Sequence, residues 1–270
     1  EQTAMMHRAV RRLSSAAQGQ FRVKTEGSLR RVVIDHPARR NALTLDMYRQ
    51  LPRIAADANS GRVALLEGVG EHFSAGSDIS EFATLRADSY QAEEWDAVEV
   101  KAAEALRDLD IPLVALVRGN CYGSALNLML MADVRVAADD ATFCVPPAKL
   151  GLGYPRHLLE PLVDTVGRSA ASELILTARV IDAAEAKQLG LVHRVVAAND
   201  AAAAAEAAAA EIASLAPLVQ RAAKAMMRGR RGKDGRFMAD ARYQECFDSE
   251  DYQEGLRAFA EGRDPVFNGS

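Results

Sequence analysis

Two loops of small residues are the places in this chain where backbone N–H groups could be left free for chemistry. One is Phe73-Ser-Ala-Gly-Ser-Asp78 and the other is Gly119-Asn-Cys-Tyr-Gly-Ser-Ala125. Each follows an apolar run of strand length, residues 62–67 and 111–117, and each leads into a helix-like stretch. After the second loop, residues 126–131 are apolar except for Asn127. A strand that hands over to a helix leaves the first helical N–H groups unpaired, with the helix dipole behind them. Such a corner can hold a phosphate, or an oxyanion that develops during a reaction. If the loops lie side by side, two N–H groups could converge on one carbonyl oxygen. Each loop would serve equally well as a tight packing turn.

The elements that must position these loops follow from the hydrophobic pattern. Residues 21–25 and 30–34 flank Gly27-Ser28 and predict a β-hairpin. Residues 35–41 read as a loop, and a helix N-capped by Thr44 should reach about Asp57. Residues 89–109 have the spacing of a long amphipathic helix. Strands are expected over residues 134–137, 141–145 and 191–196, with helices around 157–166 and 168–177. Asp182 should cap a helix that Gly190 stops. The alanine-rich residues 201–210 predict a helix running to about Leu215, followed by helices over 217–227 and 237–259. Strands alternate with helices to about residue 150 and helices dominate after 200, which gives an α/β core with a helical C-terminal extension.

Composition narrows the partners. Of 270 residues, 49% are hydrophobic and 26% charged, and the net charge of −4 gives no reason to expect nucleic acid or an anionic membrane. Cys121, Cys144 and Cys246 are odd in number and contain no CxxC pair, so neither a disulfide framework nor a zinc site is expected, and a reducing cytoplasm fits best. No apolar run approaches about 18 residues, so no membrane-spanning helix is expected. Residues 2–20 contain no acid but carry Arg8, Arg11 and Arg12, and read as a leader over residues 1–20 that is disordered or loosely helical.

Seven collinear motifs resemble the crotonase superfamily, the enoyl-CoA hydratase/isomerase family. They are Asn41-Ala-Leu43, Phe73 to Ile79, the block from Arg118 to Asp133, Phe143 to Gly151, Leu176 to Ala186, Gly190 to Val195, and the ending from Ser249 to Phe267. The resemblance implies a crotonase-like spiral of ββα repeats over residues 21–200 and a helical trimerisation region over 201–270, assembled as a trimer or dimer of trimers. It further implies a lyase or isomerase of fatty acid metabolism that acts on an acyl-CoA thioester, with no tightly bound cofactor and no metal. Carried over by position, the N–H groups of Ser77 and Ser124 would form the oxyanion hole, each worth roughly 3 kcal/mol of barrier. Arg39, Arg40, Asn41 and Ala42, with Ser74, Ala75, Gly76, Asp78 and Ile79, would lie along the coenzyme A arm. Gly123 would also contact the substrate, and Tyr122 would narrow the acyl channel.

The departures from the family pattern decide the chemistry. The two glutamates that activate water in family hydratases fall at Asn127 and Pro147, and neither an amide nor a proline takes a proton. Asn127 could still hold a water or a carbonyl by hydrogen bonding. Tyr154 falls where a decarboxylating branch keeps a tyrosine that orients a substrate carboxylate, or it is a pocket wall. His157 is a titratable candidate near the pocket or a solvent-exposed helix start. Asp78 should cap a helix, and Glu81 should face water or the pocket mouth. Three functions remain open: a hydratase/isomerase-like lyase with a non-standard acid or base, a decarboxylase of the methylmalonyl-CoA type, and a non-catalytic acyl-CoA-binding protein.

Overall fold

The computed structural model describes residues 19–228 and 240–270. The expected leader lies outside these residues except for Gly19 and Gln20. The chain advances by a repeated step, in which a strand of one large sheet is followed by a short extended stretch in a second layer and then a helix. The antiparallel hairpin β1 (Gln20–Glu26) and β2 (Leu29–Asp35) leads through Leu43 to α1 (Leu45–Ala58), which Thr44 caps by accepting from Met47 N. Next, β3 (Val63–Gly68) leads through Ser74 and Ser77 to α2 (Phe82–Leu85) and α3 (Ser89–Arg107). Then β4 (Leu113–Val117) passes to β5 (Asn120–Tyr122) and α4 (Ser124–Leu130). The fourth step runs from β6 (Val134–Ala138) to β7 (Thr142–Cys144), α5 (Pro147–Leu150) and α6 (Arg156–Thr177). After these come β8 (Ile181–Asp182), α7 (Ala183–Gln188) and β9 (Arg194–Val196). The C-terminal part includes α8 (Ala201–Ser214), α9 (Pro217–Arg228) and α10 (Glu250–Glu261), with residues 240–245 also helical.

The large sheet has the order β1-β2-β3-β4-β6-β9, and every pair after the hairpin is parallel. The second layer is β5-β7-β8. Alternation along β3 and β4 divides the core in two. Ala64, Leu66, Leu113, Ala115 and Val117 belong to the larger core with buried residues of α1, α3 and α4, while Val63, Leu65, Val114 and Leu116 meet Ala201, Ala205 and Ala209 of α8. Alanines at that spacing let α8 approach the sheet closely. α8 packs on the sheet and opens the C-terminal helical region.

Several expectations change in detail. The chain does not pass directly from the strand at 113–117 into a helix, because β5 intervenes and pairs with β7. The two helices expected on either side of residue 167 are present, with the break at Gly167, whose φ is 76° and ψ 160°. The strand expected over 191–196 shortens to Arg194–Val196, because Leu191 and Val192 bury their side chains and donate to Ala186 O after α7. The single helix expected over 237–259 is interrupted, because Ser249 accepts from Tyr252 N and starts α10 afresh; residues 237–239 lie outside the described part.

Two polar anchors bear on stability. Lys224 of α9 is buried, pairs with Asp133, and donates to Ile111 O at 2.9 Å. Lys224→Met should cost roughly 2–3 kcal/mol, below the 3–5 of a fully buried pair because Asp133 keeps 30% exposure; urea unfolding measures it. His193 joins β6 to the chain before β9, with Nδ1 accepting from Arg135 N at 3.0 Å. Burial and the nearby Arg135, Arg194 and Lys187 lower its pKa from 6.5. The folded state therefore favours neutral imidazole. The stabilisation is complete above the unfolded value and is lost as pH falls from 6.5 through the lower folded value. Melting temperature should fall across that interval, and the fall should shrink in His193→Gln.

Candidate active site

The two small-residue loops lie side by side. Ser74 N donates to Asn120 O at 2.9 Å, and Tyr122 N donates to Ser74 O at 3.1 Å. Gly76 makes this approach possible, since its φ is +89° and a Cβ there would stand 2.6 Å from Tyr122 O. On the other side, Leu43 N donates to Gly76 O and Asp78 N to Leu43 O, each at 2.8 Å. Gly123, at φ 55° and ψ −125°, turns the chain into α4 and donates to Cys144 O at 2.8 Å. These bonds account for the neighbours of Ser77 and Ser124. The N–H groups of Ser77 and Ser124 themselves donate to no acceptor among the described residues.

The side chains of these serines meet in a cluster of hydroxyls. Ser77 Oγ and Ser124 Oγ are 2.9 Å apart, and Tyr48 OH lies 2.9 Å from the first and 2.6 Å from the second. Ser77 Oγ also donates to Glu99 Oε1 at 3.4 Å. The other carboxylate oxygen, Oε2, lies 3.3 Å from His157 Nε2. Because a carboxylate accepts, this contact assigns the proton to Nε2. Glu99 is 2% exposed and sits in the middle of α3, one turn after the buried Trp95.

A narrow cleft of about 70 Å³ opens onto this cluster. Ser77, Glu99, Ser124, Pro147 and Tyr154 line it, and Ile79, Phe82 and Leu150 add apolar wall. Tyr154 OH is buried without a hydrogen-bond partner among the described residues. Burial, and then the charge of Glu99, pushes the pKa of both Tyr48 and Tyr154 upward, so both remain protonated at neutral pH. Arg86 lines the cleft, pairs with Asp96 at 2.8 Å and lies 5.2 Å from the Phe82 ring centroid. Burial is the first cause of the raised pKa of Asp96, against the lowering effect of Arg86.

The other expected site residues divide between wall and scaffold. Ala75, Gly76 and Gly123 line the cleft, and Arg39 and Arg40 are exposed beside the Ala75 loop, where Ala75 N donates to Arg40 O at 2.9 Å. Asp78 accepts from Ser80 N and caps the turn before α2, as expected. Asn41 is fully buried, accepting from His36 N and donating to Val69 O and His72 O, so its side chain braces the loop. Ala42 and Ser74 are buried too, with Ser74 Oγ donating to Asn41 O. Glu81 is half-buried and accepts from Leu45 N at the start of α1. Tyr122 does not narrow the cleft; its hydroxyl lies 3.2 Å from Thr142 Oγ1, and it is not part of the wall. Asn127 is 1% exposed and outside the wall, with Nδ2 donating to His157 O at 3.1 Å. His157 stands at the start of α6, half-buried, and its ring pairs with Glu99.

Sequence reading missed Glu99, Tyr48 and Arg86. A signal existed for the first. The buried face of α3 is Trp95, Glu99, Ala102, Ala103 and Leu106, a helical stripe with one acid in it.

This architecture matches known proteins along nearly its whole length. The enoyl-CoA hydratase/isomerase family model matches residues 24–270. A probable enoyl-CoA hydratase of Mycobacterium leprae is 34% identical over 244 residues, covering 87% of this chain and 93% of that protein. A solved enoyl-CoA hydratase of Bacillus anthracis superposes with a TM-score of 0.84 at 29% identity, over 93% of this chain and 99% of that one. An enoyl-CoA hydratase/carnithine racemase of Magnetospirillum magneticum gives a TM-score of 0.85 at 34% identity, covering 93% and 96%. The spiral of ββα steps and these matches together establish that the chain belongs to the enoyl-CoA hydratase/isomerase family.

Proposed function

We propose that the protein binds a short acyl-CoA thioester and acts on it as a hydratase/isomerase-like lyase with a non-standard acid or base. The thioester oxygen would accept from the N–H groups of Ser77 and Ser124, which would stabilise the enolate as charge develops at the α-carbon. Those two unengaged donors, on loops locked together at one cleft, carry the reading. The small cleft volume of about 70 Å³ favours a short acyl group. Arg39 and Arg40 are exposed on the loop that would meet the coenzyme A phosphates. Pro147 lines the cleft and Asn127 is turned toward His157 O, so the acid or base comes from elsewhere.

One observation favours the decarboxylase as a second reading. Tyr154 carries a protonated, unpartnered hydroxyl in the cleft wall, suited to holding a substrate carboxylate. Calorimetry with crotonyl-CoA, and turnover of crotonyl-CoA and methylmalonyl-CoA, separate the readings. Binding with hydration or isomerisation supports the first, and loss of carbon dioxide supports the second. Tight binding without turnover leaves the acyl-CoA-binding protein, and absence of binding defeats all three. A trimer or dimer of trimers is part of the proposal. Val219, Leu256 and Phe259 expose apolar surface on α9 and α10, and sedimentation velocity would detect the assembly. A cytoplasmic location accords with the three free cysteines.

A further inference from the structure

The carboxylate that lines the cleft between the two loops is Glu99, at neither position where the family's glutamates fall. We propose that Glu99 takes and returns the α-proton of the bound thioester, and that His157 is a positioning residue that holds the carboxylate and connects it to solvent. The inference rests on the acyl-CoA reading above.

Three observations carry it. First, Glu99 is 2% exposed and lines the acyl cleft, and His157 is its only ion-pair partner among the described residues. Burying a carboxylate costs free energy, and a lone imidazole is a small return for it. Second, Glu99 meets the hydroxyl cluster at its edge. Tyr48, Ser124 and Ser77 lie 2.6–2.9 Å from one another. The carboxylate accepts from Ser77 Oγ over a longer 3.4 Å, beside the N–H that would hold the thioester oxygen.

Third, the Glu99–His157 pair spans two clefts. Glu99 lines the acyl cleft and His157 does not. His157 instead lines a second, polar cleft of about 550 Å³ bounded by α3, α6 and α9, with Lys224 and Arg228 in its wall. The imidazole holds its proton on Nε2 while Glu99 is a carboxylate. Once Glu99 has taken a proton, the tautomer protonated on Nδ1 accepts it at Nε2 and releases the Nδ1 proton to water, while the acyl cleft is filled. Asn127 fixes this path from the other side, since its Nδ2 holds the backbone oxygen of His157 at 3.1 Å. The residue that replaces a family glutamate thus steadies the residue that serves the new carboxylate.

The step balances without any co-reactant. Glu99 takes the α-proton, and the C–H electron pair becomes the carbon–carbon double bond of the enolate. The carbonyl π pair moves onto oxygen, toward the N–H groups of Ser77 and Ser124. When the pair returns to carbon, Glu99 gives a proton back. In heavy water the proton on Glu99 trades with solvent through His157, and the thioester returns deuterated.

Butyryl-CoA in heavy water, followed by NMR at the α-carbon, isolates this step, because a saturated chain offers no hydration or isomerisation. The intact protein should exchange the α-protons. Glu99→Gln should lose about 10²–10⁴-fold in exchange rate while binding butyryl-CoA as before by calorimetry. His157→Leu should slow exchange about tenfold or more, and so should His157→Gln, which keeps an N–H for the carboxylate but cannot pass a proton to solvent. A histidine that only held the carboxylate in place would be replaced by that glutamine with little loss of exchange rate. Glu99→Asp, with an intermediate loss expected, replaces Glu99→Gln if the latter does not fold. Exchange by Glu99→Gln within a few-fold of the intact protein overturns the proposal, as does an intact protein that binds butyryl-CoA without exchanging it. An intact protein that does not bind butyryl-CoA overturns the acyl-CoA reading itself.

Discussion

Ser124→Pro should lower thioester turnover or α-proton exchange by about 10²–10³-fold, the usual effect of deleting one oxyanion donor. The substitution deletes the backbone N–H and little else of the framework. Ser124 is the first residue of α4, a position where proline is well tolerated because its N–H has no helical partner. The preceding residue is normally the obstacle, since proline pushes it out of the helical region. Here that residue is Gly123, at φ 55° and ψ −125°, an extended mirror-image conformation that only glycine adopts freely. The substitution also removes Oγ, which accepts from Tyr48 OH at 2.6 Å. Ser124→Ala supplies the control, because it loses the same hydroxyl and keeps the N–H. If the N–H acts on the substrate, Ser124→Pro should be about a hundredfold slower than Ser124→Ala at matched thermal stability. Equal rates in the two variants would place the oxyanion donor elsewhere.

The same residues show what could and could not be read from the sequence. The hairpin, the Thr44 cap, the long α3 and the alanine-rich α8 are local features, set by alternation, capping chemistry and propensity, and each lies where its pattern puts it. Small residues also marked both loops of the site. Their juxtaposition depends on the parallel bridge between Ser74 and Cys121, a contact between residues 47 apart in the chain that no local pattern encodes. β5 was missed for a related reason, because three residues pairing with β7 are too short to show a period. The candidate acid–base group was the hardest to find. Family resemblance directs attention to Asn127 and Pro147, whereas Glu99 comes from a helix whose acids mostly face water. Its burial follows from α3 packing across α1, with Trp95 between Tyr48 and Phe82.

Trp95 is therefore the residue whose loss should cost most in stability, and Trp95→Ala should destabilise by about 3–5 kcal/mol. It is 0% exposed, and its ring meets Tyr48 edge-on at 6.2 Å and Phe82 at 5.2 Å. Packing and aromatic contacts are lost together, while one term works the other way. Trp95 Nε1 is a buried donor with no partner among the described residues, and its removal relieves a cost of roughly 1–3 kcal/mol already present in the native state. Trp95→Phe separates the two effects. It keeps most of the volume and deletes the unpaired N–H, so it should lose well under half of what Trp95→Ala loses. Trp95 is the chain's single tryptophan, so urea unfolding of both variants must be followed by far-ultraviolet circular dichroism and not by fluorescence. The cost should also reach the site. Glu99 follows Trp95 by four residues on the same buried face of α3, so a helix that settles into the vacated space carries the carboxylate with it. Exchange of butyryl-CoA should therefore fall in Trp95→Ala even at temperatures where the variant is fully folded, and stay near the intact rate in Trp95→Phe. A Trp95→Ala protein that melts with the intact protein would show that α1 and α3 close over the gap, and that Trp95 does not set the position of Glu99.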